Sequence, residues 1–383
     1  MRVCTPHCGV APETTSGGET YERELLVRLG RRGIHLDVIL ARRRLHPDDV
    51  PNWTVHRFAI GRGLRWWVAP LVVPPAIKRV WDARPFDLLR VHSLRFIGPS
   101  ALWARRHYGL NVPVVAHHHH LDTSPLNRLI ERRVIDACDH IITVSWFSRG
   151  QLASELGCRT DHVSVVHNGI DERFAPWPRD TALAGQLGLG PRPCALFLGG
   201  LKPRKNLDFL LDVWREVVRR APGAALLIAG SGPLETTLRR RASTLGIAQS
   251  VIFSGRVAEV DKVRLYNLAD VFVSVSLLEG FGFTVAEAMS CGLPVVVSAR
   301  GALPELVGND AGGAICRLEE PHEFVNALVR LLSSPEHRRE AGQANRRRID
   351  TAFRWDRTAT QVQEIYGEVI ARRRGVREPS GAR

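Results

Sequence analysis

EGFGFTVAEAMSCGLP, residues 279–294, holds the densest pattern in the chain. Two carboxylates, Glu279 and Glu287, stand eight positions apart. Between them lies a glycine turn, Gly280-Phe281-Gly282, shortly after the apolar run VFVSVS (Val271–Ser276). This predicts a strand over 271–276 and a helix over Thr284–Ser290, stopped by Gly292 and Pro294. A strand that turns through glycines into a helix leaves bare amides at the helix start, which suit an anion. The flanking carboxylates suit hydroxyls, since each accepts charge-assisted hydrogen bonds. The ligand expected here carries both phosphate and a sugar or ribose. On spacing alone a second reading stays open at even weight: Thr284-x-x-Glu287 is also a capping box, in which Glu287 serves backbone N–H groups and no ligand.

Outward from this segment the second half alternates short apolar runs with helical spacing. Cys194–Leu198 (CALFL), Ala224–Ala229 (AALLIA), Val251–Phe253 and Pro294–Ser298 (PVVVS) read as strands. Leu207–Arg220, Leu234–Leu245 and Val263–Ala269 read as helices. The first half repeats the theme, with strands expected at Ile34–Leu40, Leu88–Val91, Val112–Ala116, His140–Val144 and His162–Val166. Continuous apolar strands alternating with helices imply α/β domains with parallel sheets covered on both faces. Asp171–Arg192 is rich in Pro, Gly, Asp and Arg, and the interdomain linker is placed there. Ligands of such sheets bind at the carboxyl ends of strands.

At 383 residues the chain is long enough for two domains. Its 44% hydrophobic and 24% charged residues exclude disorder across the whole length. The net charge of +14 divides evenly, +7 in residues 1–180 (25 basic, 18 acidic) and +7 in the rest (28 and 21), so there is no dedicated basic arm. That suits anionic small molecules, an anionic membrane surface or simply solubility; nucleic acid stays open as a partner, but no finger, RNP-type or basic-zipper pattern is present. Seven cysteines occur without a CxxC or a zinc spacing, which predicts reduced thiols and a cytoplasmic protein. The start, MRVCTPHCGV, has no apolar run of a signal peptide, and the longest apolar stretch, Trp66–Ile77, is interrupted by three prolines.

Glu279 and Glu287 in their GFGFTVAEAM setting resemble the E-x7-E motif of retaining glycosyltransferases of family 4, which have the GT-B fold. Further segments fall in that family's order: Gly17-Gly18-Glu19 after the first strand, PVVAHHHH (113–120), Thr143-Val144-Ser145, HNGID (167–171), GGLKPRKN (199–206) and GSGP (230–233). The resemblance covers roughly residues 9 to 370. It implies two Rossmann-like βαβ domains facing across a cleft. These are an acceptor-side domain over 1–175, joined by a returning C-terminal helix over 355–372, and a nucleotide-sugar-binding domain over 190–354. The implied reaction moves a hexose of mannose, glucose or N-acetylglucosamine type from a nucleoside-diphosphate sugar to an acceptor hydroxyl, with retention.

Residue by residue, the resemblance implies that Glu287 holds the donor ribose and that Glu279 sits near the donor sugar. Amides of Phe281, Gly282, Thr284 and Val285 meet sugar and diphosphate, and Lys205 pairs with the diphosphate. Gly17 and Gly18 let backbone approach the same group. Gly230, Gly232, Gly280 and Arg256 complete the donor set. His119 aligns with the family's active-site histidine, so His119, Glu279 and Lys205 form the catalytic set. One position departs: the family often has Arg where this chain has Gly200, and Arg204 is the candidate replacement for that charge.

Four consecutive histidines, 117–120, lie on an expected strand, where alternate side chains point to opposite faces and cannot converge on a metal. No Asp-x-Asp occurs in the chain, which argues against a metal-held diphosphate; no cofactor or metal is expected. GSG without a third glycine excludes a dinucleotide fingerprint. Residues 62–81, RGLRWWVAPLVVPPAIKRVW, border an apolar run with Trp and cations and form a candidate peripheral contact with the inner membrane. The competing reading is a helix buried against the sheet and broken at Pro70 and Pro74–Pro75. Expected partners are a nucleotide sugar and a sugar, lipid-linked or small-molecule acceptor. The rival functions are a nucleotide-sugar epimerase or a phosphorylase of the same fold, and a non-catalytic basic binding protein.

Overall fold

The computed structural model describes residues 1–12, 17–59, 69–119, 124–308 and 312–375. The chain divides into two compact units, one of Met1–Gly169 with the residues from Trp355 onward, the other of Ile170–Arg354.

The first unit is built on β1 (Arg2–Pro6), β2 (His35–Ala41), β3 (Trp53–Phe58), β4 (Leu88–Val91), β5 (Val114–His118), β6 (His140–Thr143) and β7 (Val163–Val165). They form a parallel sheet in the order β3-β2-β1-β4-β5-β6-β7. One face, including Cys4, Leu89, Val91, Val114, Ala116 and Ile141, packs into an apolar core with helices Ala69–Ala83, Ile97–His107, Pro125–Ala137 and Trp146–Ser154. Helices Gly17–Arg31 and Trp355–Arg373 pack against each other in the same unit. Gly169 ends the unit's continuous stretch against Trp355: a Cβ there would lie 2.3 Å from Trp355 Cα, so only glycine fits.

The Ala69–Ala83 helix runs through Pro74 and Pro75 instead of breaking there. Burial of Ala69, Val73, Ala76, Ile77 and Val80 holds it against the Ile97–His107 helix, and that packing outweighs the lost backbone bonds. Arg62, Arg65, Trp66 and Trp67 of the candidate membrane segment lie outside the described residues. No described helix is long and apolar enough to cross a membrane. β3 is a strand that alternation did not reveal, because its inner residues are only half buried.

The second unit carries β8 (Cys194–Leu198), β9 (Ala225–Ala229), β10 (Val251–Gly255), β11 (Val271–Ser274), β12 (Val295–Ser298) and β13 (Gly313–Cys316). Their order is β10-β9-β8-β11-β12-β13, again parallel. Asp171–Arg192 lies wholly inside this unit, and part of it is a helix, Thr181–Gln186, whose first turn is capped by Asp180. The linker expected there is an ordered entry segment: Pro and Gly mark its turns, but Arg264 pins Asp180 at 2.7 Å.

Both sheets are doubly wound, and in each the strand order reverses beside its first strand. The crevices where such sheets take ligands therefore open after β1 and β4 in the first unit and after β8 and β11 in the second.

Candidate active site

In the second unit Lys205, Arg204 and Glu279 come together at the switch point. After β8 the chain makes a short 3-10 turn, Pro203–Lys205, and Asn206 leaves it in the left-handed region at φ 56°. The turn is docked by the Leu277 amide on the Arg204 carbonyl at 2.9 Å. Lys205 Nζ lies 2.5 Å from Glu279 Oε1, and Arg204 NH1 lies 3.1 Å from the same oxygen. Burial would raise the Glu279 carboxyl, but Lys205 and Arg204 outweigh it and hold it below the usual range. Burial in turn pulls the Lys205 ammonium down, more than Glu279 restores. Two cations thus share one carboxylate, leaving one positive charge beside the crevice for an anion. Gly200, where the family resemblance leads to the expectation of a second cation, has open space: a Cβ there would meet nothing closer than the Lys202 side chain at 3.7 Å.

Gly282 caps the helix Phe283–Ser290 at φ 99°, a conformation that L side chains rarely adopt. Its carbonyl accepts the amides of both Val285 and Ala286 at 3.0 Å. The Val285 amide, expected to face the donor, is thereby engaged within the helix. The Phe281 ring is buried and meets Phe283 and Phe353 at centroid distances of 5.2 and 5.9 Å.

Glu287 makes no capping box. Gly282, not a threonine, sits at the cap, and no side chain caps the helix. Tyr266 Oη instead donates to Glu287 Oε2 at 2.6 Å, and Lys262 Nζ stands 3.5 Å from Oε1. Lys262 is itself paired with Glu259 at 2.8 Å, and Glu259 with Arg173 at 2.8 Å. Burial still dominates and raises the Glu287 carboxyl above its ordinary value. Neither Tyr266 nor Lys262 is a candidate in the sequence, where Tyr266 reads only as part of the helix over Val263–Ala269 and Lys262 only as the residue before it.

The glycines of GSGP have a packing role. A Cβ on Gly230 would lie 2.0 Å from the Gly199 carbonyl oxygen, and one on Gly232 2.5 Å from that of Leu201. They let two strand-end turns touch backbone to backbone. Arg256 is exposed just past β10.

In the first unit Gly17 and Gly18 occupy the exposed first turn of the Gly17–Arg31 helix. Below them lies a buried polar cluster that sequence reading missed. Arg90 of β4 is fully buried, and its NH1 donates to Glu22 Oε2 at 2.6 Å. Its Nε donates to Tyr366 Oη at 3.0 Å. His7 Nε2 is 2.9 Å from Glu22 Oε2, and its Nδ1 accepts the Gly9 amide at 3.1 Å. His117 bridges Tyr21 Oη at 2.9 Å and Tyr366 Oη at 2.8 Å. His119, just past β5, reaches Glu22 Oε1 through Nε2 at 3.3 Å. His117 and His119, two apart, thus face the same helix, whereas His120 lies outside the described residues. An arginine inside the apolar run LLRV (Leu88–Val91) was the available signal, because a buried guanidinium requires a partner.

Burial would raise the Glu22 carboxyl, but Arg90 outweighs it, helped by His119 and His7, and holds it well below the usual range. Burial also pulls the His7, His92 and His117 imidazoles below their ordinary value. Among the described residues His7, Glu22 and His92 bring three potential metal-ligand atoms within 4.8 Å of one another. Their surroundings do not suit a cation: Arg90 already sits on Glu22, and the Cys8 amide donates to His92 Nε2 at 3.2 Å. All seven cysteines are free thiols.

The Glycosyl transferases group 1 family matches residues 182–348, and Glycosyltransferase Family 4 matches residues 15–174. A GDP-mannose-dependent alpha-(1-6)-phosphatidylinositol monomannoside mannosyltransferase of Mycobacterium tuberculosis is 31% identical over 314 residues, 79% of either chain. A D-inositol 3-phosphate glycosyltransferase of Nocardia farcinica is 30% identical, covering 96% of this chain and 88% of that one. A sucrose-phosphate synthase of Thermosynechococcus elongatus superposes with a TM-score of 0.79 at 21% identity, over 97% of this chain and 100% of its own, which shows the GT-B fold. With both units matched and relatives this similar along most of their length, the chain belongs to glycosyltransferase family 4 and is an enzyme that moves a hexose from a nucleotide sugar to an acceptor.

Proposed function

We propose that this chain is a retaining, metal-independent hexosyltransferase whose donor is GDP-mannose and whose acceptor is an inositol-type polyol bearing phosphate. The donor and acceptor classes rest on the names of the two relatives at 31% and 30% identity. The site reading is carried by one observation: Glu279 with Lys205 and Arg204, and Glu287 with Tyr266, bracket a glycine-capped helix start at the second unit's switch point.

In this reading Glu287 accepts the donor ribose hydroxyls, and the helix start takes the diphosphate. Arg204 and Lys205 stabilise the charge that grows on the leaving phosphate, an effect worth about 3–4 kcal/mol per well-placed donor. Binding the diphosphate loosens the Lys205–Glu279 pair, freeing Glu279 for the sugar. Glu279 is not offered as a covalent nucleophile; retention follows from same-face attack, with the leaving phosphate taking the acceptor proton. No step calls for a divalent cation. The acceptor is taken by the first unit, where His119 meets it. The buried face of the Ala69–Ala83 helix is taken by the core, so any peripheral contact with the cytoplasmic membrane face falls to its exposed positions, Leu71 and Arg79 among them, which cosedimentation with anionic vesicles tests.

Thermal shift against GDP-mannose, UDP-glucose, UDP-N-acetylglucosamine and dTDP-sugars, with EDTA present, tests the donor reading. Stabilisation by GDP-mannose alone is expected. A shift that appears only after metal is added refutes metal independence, and a shift with a uridine donor alone refutes the choice of GDP-mannose. Product analysis separates transfer from epimerisation, which needs no acceptor. Glu287→Ala raises donor KM and Lys205→Ala lowers kcat; unchanged kinetics in both discard the site.

A further inference from the structure

We propose that Glu22 is a positioning residue for His119: it fixes the imidazole as the Nε2–H tautomer and so turns a bare Nδ1 toward a substrate hydroxyl. The inference rests on the reading of His119 as the residue that meets substrate in the first unit.

The geometry is specific. Glu22 has a side chain only 2% exposed, and its two oxygens are divided between tasks. Oε2 is taken by Arg90 at 2.6 Å and His7 at 2.9 Å. Oε1 points to His119 Nε2 at 3.3 Å. A carboxylate can only accept, so the hydrogen of that bond belongs to His119 Nε2. A neutral imidazole with its proton on Nε2 has its lone pair on Nδ1.

Glu22 remains a carboxylate, because the Arg90 guanidinium outweighs the penalty of burial. Arg90 cannot swing away, since Tyr366 Oη holds its Nε at 3.0 Å. His7 is fixed from its other side by the Gly9 amide. The Tyr21 ring meets His119 edge-on, with centroids 4.5 Å apart at 74°, and Tyr21 is tied by its hydroxyl to His117. Every atom that fixes His119 is therefore itself fixed.

Exposure along the cluster supports the same direction. Side chains of Arg90, His7 and Glu22 are 0%, 1% and 2% exposed, whereas that of His119 is 19% exposed. Of these four, His119 is the one that reaches solvent, just past the carboxyl end of β5 and close to the switch point after β1 and β4. An imidazole held through its far nitrogen by a buried carboxylate is a recurring arrangement, because the carboxylate selects the tautomer; here Nδ1 accepts the hydroxyl's hydrogen bond and orients it, while the proton itself passes to the leaving phosphate. Tyr366 of the Trp355–Arg373 helix belongs to this support, which gives the C-terminal helix a part in the site beyond packing.

Two readouts test the inference. Long-range 1H–15N correlation of the histidine side chains needs no substrate, and His119→Asn identifies the His119 signals. A single neutral tautomer protonated at Nε2 is expected in the wild-type chain, with a mixture of tautomers in Glu22→Asp. That variant keeps the charge opposite Arg90 but shortens the reach to His119. If it does not fold, as judged by its melting transition, Glu22→Gln replaces it. An Nδ1-protonated or mixed wild type, or an unchanged tautomer in the variant, overturns the proposal.

Kinetics with GDP-mannose as donor and D-inositol 3-phosphate as acceptor give the second readout. Glu22→Asp is expected to lower kcat at least tenfold with donor KM within threefold, and to have no further effect in the His119→Asn background. Additive losses overturn the positioning role. If His119→Asn leaves transfer unchanged, or the wild type turns over neither substrate, the functional reading fails, and the spectroscopic result still decides the tautomer.

Discussion

Removing one hydroxyl, in Tyr266→Phe, tests how the second unit holds its donor. Tyr266 is fully buried and donates at 2.6 Å to Glu287, the carboxylate assigned to the ribose. A hydrogen bond to a charged group contributes about 1.5–3 kcal/mol, and each 1.4 kcal/mol is about tenfold in affinity. Lys262 stays at 3.5 Å and keeps part of the orientation, so the lower figure applies and donor KM rises about tenfold. The loss of the hydroxyl also moves a titration. Burial already raises the Glu287 carboxyl, and the Tyr266 hydrogen bond is one of the contacts that pull it back down. Without it the carboxyl rises further, so the pH below which donor binding fades moves upward. The assay is initial-rate transfer at varied donor across pH 5 to 8, with the melting transition as a control for folding. A donor KM within twofold of wild type, with an unmoved acid limb, would refute the claim that Tyr266 organises Glu287 for the donor.

Three further outcomes follow from the geometry. Gly230→Ala puts a Cβ 2.0 Å from the Gly199 carbonyl oxygen at a residue with φ 139°, and should cost more than about 3 kcal/mol, read as a large drop in Tm; a shift of a degree or two would contradict it. At Gly200 a Cβ meets only the Lys202 side chain, at 3.7 Å, so in Gly200→Arg Tm should hold while an added cation lowers donor KM by up to about fivefold, roughly 1 kcal/mol; a raised KM would show that the position does not face the diphosphate. Acid should also destabilise the fold early. Glu22 is held below its unfolded value, so its contribution is present at neutral pH and is lost as pH falls through the depressed folded value. His7, His92 and His117 are held below theirs too, so the unfolded chain takes protons first, once pH drops through about 6.5. Tm should therefore begin to fall between pH 7 and 6, and a flat Tm down to pH 5 would refute the buried neutral histidines.

Much of the fold was legible because parallel strands buried on both faces are written as continuous apolar runs. Leu88–Val91 and Cys194–Leu198 read directly, and the helix Leu207–Arg220 came out with its observed bounds. β3 and β13 escaped, since sheet-edge strands are only partly buried and carry weaker patterns. The helix through Pro74 and Pro75 contradicted a local rule because its buried face supplies more than the two prolines remove.

The sequence by itself determined the alternation that makes two doubly wound sheets, and the glycines and paired carboxylates of 279–294 on which the proposed donor site rests. These are local in the chain, and spacing of a few residues carries them. Only the tertiary structure decided what each carboxylate touches: Glu279 meets Lys205 from 74 positions away, and Glu287 meets Tyr266 and Lys262 rather than a helix cap. It alone assembled Glu22, Arg90, His119 and Tyr366, whose members come from a helix, a strand, a strand end and the C-terminal helix. The physical reason is that a buried charge must find its partner in space, and the sheet order that brings such partners together is set by packing of whole elements, not by neighbours along the chain.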